Sequence, residues 1–111
     1  MSDCLFCAIV AGDLPSERVY EDDQVVAFRD IQPKADVHLL LVPRRHIESL
    51  EAVIPGDDGL LGHCLRLLPG LARDQGLQRG FRTIINTGKG GGQEVMHLHI
   101  HLLGGAELPG L

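Results

Sequence analysis

His97-Leu98-His99-Ile100-His101-Leu102-Leu103, running into Gly104-Gly105, alternates histidine with large aliphatic residues, a period of two. In a β-strand successive side chains point to opposite faces. Leu98, Ile100 and Leu102 are therefore expected to enter a core, while His97, His99 and His101 stand in a row on the other face. Three of the chain's six histidines lie in this row, more than the wet face of a half-buried strand requires. Two chemistries use such a row. His-x-His on a strand suits zinc, or one imidazole is a nucleophile oriented by its neighbours.

The segments upstream supply a sheet for this strand. Phe81 to Asn86 reads as a strand, and Thr87-Gly88-Lys89-Gly90-Gly91-Gly92-Gln93 as a glycine-rich loop whose freed backbone amides could line an anion site. Leu60 to Gln75 carries an apolar stripe of Leu60, Leu61, Cys64, Leu67, Leu68 and Leu71, the mark of the longest helix, with Asp57 or Asp58 as its cap. Pro69 inside it predicts a kink near Leu65 or an early break. Ile47 to Val53 has the spacing of one or two helical turns. Val37 to Val42 is a continuous apolar run broken by His38 and closed by Pro43, the pattern of a buried strand. Val19 to Glu21 and Val25 to Arg29 are strands joined by the turn residues Glu21-Asp22-Asp23, and Asp30 falls at a strand end. Asp3 is positioned to cap a short helix over Cys4 to Ala11 that Gly12 stops. Five strands with two or three helices and no βαβ rhythm predict an antiparallel α+β domain.

The 111 residues allow one domain, 1–111, and no second core. No apolar run approaches the twenty or so residues of a membrane span, and the first residues lack the basic start of a signal peptide, so a cytosolic protein is expected. A net charge of −5 argues against a nucleic-acid partner, since affinity for the phosphate backbone rests on surplus Lys and Arg. In a reducing compartment three cysteines do not form a disulfide framework, which leaves Cys4-x-x-Cys7 as metal-binding, redox-active or buried.

Taken together, His97-x-His99-x-His101, the preceding Gly91-Gly92-Gln93 and Asn86-Thr87-Gly88, Cys4-Leu5-Phe6-Cys7 with Ile9, Phe28-x-Asp30-Ile31, Val42-Pro43-Arg44-Arg45-His46-Ile47 and Leu60-Leu61-Gly62-His63 resemble the histidine triad superfamily in its Hint branch of nucleoside phosphoramidases. The likeness runs over nearly the whole chain. It implies a homodimer in which the long helix and the Phe81 to Asn86 strand meet their copies and join two five-stranded sheets. It also implies a purine nucleoside monophosphate site. Leu5, Phe6, Ile9, Phe28 and Ile31 would wall the base, Asp30 would accept from the ribose hydroxyls, and Asn86, Gly92, Gln93, Val95, His99 and His101 would hold the phosphate. His99 is the expected nucleophile, with His101, His97 and His46 as supporting catalytic candidates; no cofactor is required for that chemistry. Glu94 stands where many relatives carry a small hydroxyl residue near the leaving nitrogen, and the tail after Gly105 lacks the aromatic-proline ending of some. Cys4, Cys7, His46 and His97 could complete a tetrahedral structural zinc site like that of some relatives. Cys64 reads as core, and His38 and His63 as packing or surface residues. The alternatives are a dinucleoside polyphosphate hydrolase of the same superfamily, or a nucleotide-binding, zinc-stabilised interaction protein with little catalysis.

Overall fold

The computed structural model describes residues 3–110. One five-stranded antiparallel sheet, in spatial order β1-β2-β3-β5-β4, is built from β1 (Arg18–Glu21), β2 (Val25–Arg29), β3 (Val37–Pro43), β4 (Arg82–Ile84) and β5 (Ile100–Gly104). Helix α1 (Leu5–Ala11) covers one face and α2 (Asp58–Asp74) the other. Because both faces are covered, β2 and β3 show no alternation of polar with apolar residues through their paired centres. Val25, Ala27, Leu39 and Leu41 pack with Cys64, Leu68 and Leu71 of α2, while the intervening Val26, Phe28, Leu40 and Val42 pack with Phe6 and Ile9 of α1. The apolar run Leu39 to Val42 in β3 is the signature of that double burial.

Several local expectations are corrected. The N-cap of α1 is Cys4 rather than Asp3: its Sγ accepts from the Cys7 N–H at 3.3 Å. Helix α2 passes through Pro69 without a break. Leu65, whose carbonyl loses its helical partner to the proline, lies on the solvent side at 57% exposure, where water can replace the missing donor. The Ile47 to Val53 segment forms only a 3₁₀ turn, Leu50–Ala52, which Ser49 caps by accepting from the Glu51 N–H.

The histidine strand starts at Ile100, not His97. In register with β3, Leu41 faces Ile100, so Leu98 would fall opposite Pro43, which has no N–H to give. Leu98 turns instead to the following loop, donating its N–H to the Ile47 carbonyl at 2.7 Å. The strand expected over Phe81 to Asn86 pairs only at Arg82–Ile84, after which the chain leaves the ladder and brings Asn86 to the cavity described next.

Candidate active site and metal centre

A cavity of about 680 Å³ opens on the α1 side of the sheet. Phe6, Ile9 and Phe28 form its buried wall, the two phenyl rings meeting edge to face at 5.6 Å. Leu5 and Ile31, the latter 91% exposed, stand at the rim. Asp30, Asn86, Gly92, Glu94, Val95, His99 and His101 line the rest. Twelve residues singled out from the sequence therefore converge here from five separate segments. Leu40 and Leu103 also line the cavity, and periodicity could have found Leu103, since it follows His101 at the strand period. Leu14, Pro15, Ser16, Gln32 and Lys34 come from loops with no periodic signal.

Gln93 is the predicted contact that does not line the cavity. It is buried, its amide nitrogen donating to the Glu48 and Val95 carbonyls at 2.8 and 3.0 Å while its amide oxygen accepts from the Gly88 N–H at 2.9 Å. Gln93 braces the glycine loop. The N–H groups of Gly91, Gly92 and Gln93 are likewise spent inside the loop, on the carbonyls of Gly88, Lys89 and Gly88. The expected supply of loop amides is thus largely consumed in shaping the loop, which turns through left-handed glycines at Gly88 and Gly92.

The three triad histidines lie on one side of the sheet, as alternation requires. His99 and His101 have ring centroids 5.0 Å apart, and the Phe6 ring meets His99 edge to face at 5.0 Å. His99 Nδ1 is 2.7 Å from the His97 carbonyl oxygen. A carbonyl only accepts, so Nδ1 carries the proton and the lone pair of neutral His99 is on Nε2. His101 is held neutral, its pKa pushed down to about 4 by burial first and then by the neighbouring His99 and His38, with Asp30 opposing.

His97 is fully buried and turned away from this pair. Its Nε2–H donates to the Pro43 carbonyl at 2.8 Å, which leaves the Nδ1 lone pair facing Cys4 Sγ at 3.3 Å, Cys7 Sγ at 3.5 Å and His46 Nδ1 at 3.3 Å. Cys7 Sγ and His46 Nδ1 are also 3.3 Å apart, and all four donor atoms lie within 4.8 Å of one another. Around a tetrahedral zinc with bonds of about 2.3 Å to sulfur and 2.0–2.1 Å to nitrogen, neighbouring ligand atoms stand about 3.3–3.8 Å apart. The four residues fit that ion, and a ring of converging sulfur and nitrogen lone pairs is a place for a cation. The Pro43 carbonyl, holding Nε2–H, would serve as the outer hydrogen bond that orients the His97 imidazole if it held such an ion.

The remaining predictions separate cleanly. Cys64 is buried on α2, its thiol pushed up to about 11 by burial, which makes it an inert core residue. His63 bonds Asp22 at 2.7 Å, tying α2 to the β1–β2 turn. His38, read as packing or surface from sequence, is buried and reaches His101: its Nε2 lies 2.9 Å from His101 Nδ1. No helix of the described residues is long and apolar enough to cross a membrane.

Comparison with known proteins matches the HIT domain over residues 11–108. Protein HitA of Neisseria gonorrhoeae is 51% identical over 104 residues, covering 94% of this chain and 97% of that protein. A HIT family hydrolase from Legionella pneumophila Philadelphia 1 superposes with a TM-score of 0.94 at 44% identity, over 96% of each chain. A zinc-bound histidine triad family protein from Mycobacterium smegmatis superposes with a TM-score of 0.79 at 35% identity, over 91% of this chain and 73% of that one.

Proposed function

The chain belongs to the HIT domain family, and on that premise we propose that it hydrolyses the P–N bond of purine nucleoside 5′-phosphoramidates through a nucleotidyl-histidine at His99. The observation that carries this reading is the 2.7 Å bond from His99 Nδ1–H to the His97 carbonyl, which leaves Nε2 unprotonated beside the cavity. Nε2 attacks phosphorus, the P–N bond breaks, and the amine departs with a proton taken from solvent, which is returned when the attacking water of the next step loses one. Water then attacks phosphorus, the P–Nε2 bond breaks, and a nucleoside monophosphate leaves. Two displacements replace one harder one. In the intermediate the imidazole ring carries positive charge, and the His97 carbonyl dipole, already on Nδ1–H, stabilises it without reorganisation.

The walls suit the rest of the substrate. Phe6, Ile9 and Phe28 offer an apolar slot for a flat purine, and Asp30 at the end of β2 offers a carboxylate to ribose hydroxyls. His101 and the N–H groups of Glu94 and Val95, which make no hydrogen bond among the described residues, are available to the phosphoryl oxygens. Glu94 lines both this cavity and a shallower one of about 600 Å³ with Asp3, Glu48 and Met96, a route for the leaving amine. Zinc at Cys4, Cys7, His46 and His97 would tie α1 to β3 and the triad strand, a structural role with no step in the reaction. We further propose a homodimer through α2 and β4, where Leu65 and Phe81 are exposed apolar residues on a helix face and a sheet edge.

The test is a panel of adenosine and guanosine phosphoramidates beside diadenosine polyphosphates, assayed with wild type and His99→Ala. Phosphoramidate turnover that vanishes with His99 supports the reading. Turnover of the polyphosphates alone moves the protein to the neighbouring substrate class, and nucleotide binding without turnover makes it a binding module.

A further inference from the structure

One wall of the cavity holds a buried histidine that the reaction just described does not use. His38, on β3, is only 4% exposed, and both of its ring nitrogens are engaged. Nδ1 receives the main-chain N–H of Lys34 at 3.0 Å, and Nε2 lies 2.9 Å from His101 Nδ1. A main-chain N–H can only donate, so His38 Nδ1 must present its lone pair and a neutral ring then keeps its proton on Nε2. That proton points the bond from His38 to His101. The opposite polarity would place a proton on His38 Nδ1 against the Lys34 N–H, two donors face to face. Asp30 Oδ2, 3.5 Å from His38 Nε2, adds a negative charge on the side where the proton must sit. His101, accepting at Nδ1, is left with its own proton on Nε2.

We propose that His38 is a positioning residue that fixes His101 as the Nε2–H tautomer, so that His101 offers a hydrogen-bond donor rather than a lone pair to the phosphoryl group or leaving amine at His99. The inference rests on the proposed reaction for its catalytic consequence, while the tautomer stands on hydrogen-bond polarity alone. The relay requires both rings neutral. Burial lowers the pKa of each, against the opposing pull of Asp30 and with Lys34 acting in the same direction as burial. Without the bond from His38, His101 would sample both tautomers, and the one with a lone pair on Nε2 repels an anionic oxygen.

The experiment reads the histidine tautomers directly, by long-range proton–nitrogen correlation spectra of the full-length wild type, His38→Gln and His38→Leu. Glutamine places a donating amide near the position of Nε2, whereas leucine fills the space and donates nothing. Wild type is expected to show His101 as a single Nε2–H tautomer, and His38→Leu a mixture. With a purine nucleoside phosphoramidate, His38→Leu is expected to lose about 10–100-fold in kcat with KM little changed, and His38→Gln to recover most of that loss. Three results would overturn the proposal: His101 as the Nδ1–H tautomer in wild type, an unchanged His101 signal in His38→Leu, or equal loss of kcat in the leucine and glutamine variants. Should the leucine variant fail to fold, the wild-type and glutamine spectra still decide. A wild type that turns over no phosphoramidate rejects the proposed reaction, and the same spectra then still decide whether His38 sets the tautomer of His101.

Discussion

The His97 carbonyl accepts the Nδ1–H of His99 at 2.7 Å, while the ring of the same His97 faces the two thiols and His46. One residue thus belongs to two constellations, its side chain to the candidate metal centre and its backbone to the candidate nucleophile. A shift of His97 would be felt at His99.

Removal of the nucleophile should abolish chemistry but spare binding. His99→Ala is expected to lower kcat by orders of magnitude with nucleoside monophosphate affinity largely kept, since the lost interaction belongs to the transition state. Rapid quench of wild type with a radiolabelled phosphoramidate should trap label on protein, stable to alkali and labile to acid. Two displacements also predict overall retention at a chiral phosphorus. Inversion, or near-normal turnover by His99→Ala, would reject the covalent route.

Protein purified without chelators is expected to carry about one zinc per subunit, measured by metal analysis, because four converging donor atoms sit at tetrahedral ligand spacing. Cys4→Ser should then lower thermal stability more than it lowers kcat. The reverse order would assign the metal to the reaction rather than to the fold.

Acid sensitivity should trace in part to His101. Its folded-state pKa of about 4 lies below the ordinary value of 6.5, so between these pH values the unfolded chain binds the proton and the folded chain does not. The stability this residue contributes is present above about pH 6.5 and is lost as pH falls toward about 4. Denaturant titrations of wild type and His101→Asn over this window should show a shallower loss for the variant. Comparing the two cancels the acid sensitivity common to both. Parallel curves would contradict the assignment.

Asp22 is expected to be the polar staple of the fold. Its carboxylate accepts from Tyr20 OH, His63 Nε2 and the N–H groups of Gln24 and Val25, at 2.7 to 2.9 Å. Asp22→Asn should cost about 1–3 kcal/mol in chemical denaturation, because several donors lose a charged acceptor. Its place on the α2 side, away from the cavity, predicts unchanged kcat in the folded variant.

Oligomeric state can be tested on α2. Leu65 is 57% exposed on the outer face of a helix whose inner face is fully packed. Light scattering at micromolar concentration is expected to give twice the chain mass for wild type and a monomer for Leu65→Asp. A monomeric wild type would remove the proposed dimer.

The sequence by itself determined which residues face which way. The alternation in the histidine segment set its histidines on the face opposite Ile100 and Leu102, and the apolar run Leu39 to Val42 marked β3 as a buried strand. Side-chain direction in a strand follows from a two-residue period, which is local and therefore written in the chain. What tertiary structure decided was which nitrogen of each ring is occupied. The acceptor of His99 is only two residues away, but the alternation does not say that its Nδ1 turns back to the His97 carbonyl; nothing near His97 names Pro43 as its acceptor, and nothing near His38 names His101. The same holds for Gln93, for which the family resemblance implied a phosphate contact but whose amide is spent on Glu48, Val95 and Gly88. For His97 and His38 ring polarity is set by groups on other strands and loops, up to 63 residues away for the His38–His101 pair. Only folding brings them within hydrogen-bond distance, so the roles of these histidines are properties of the assembled sheet.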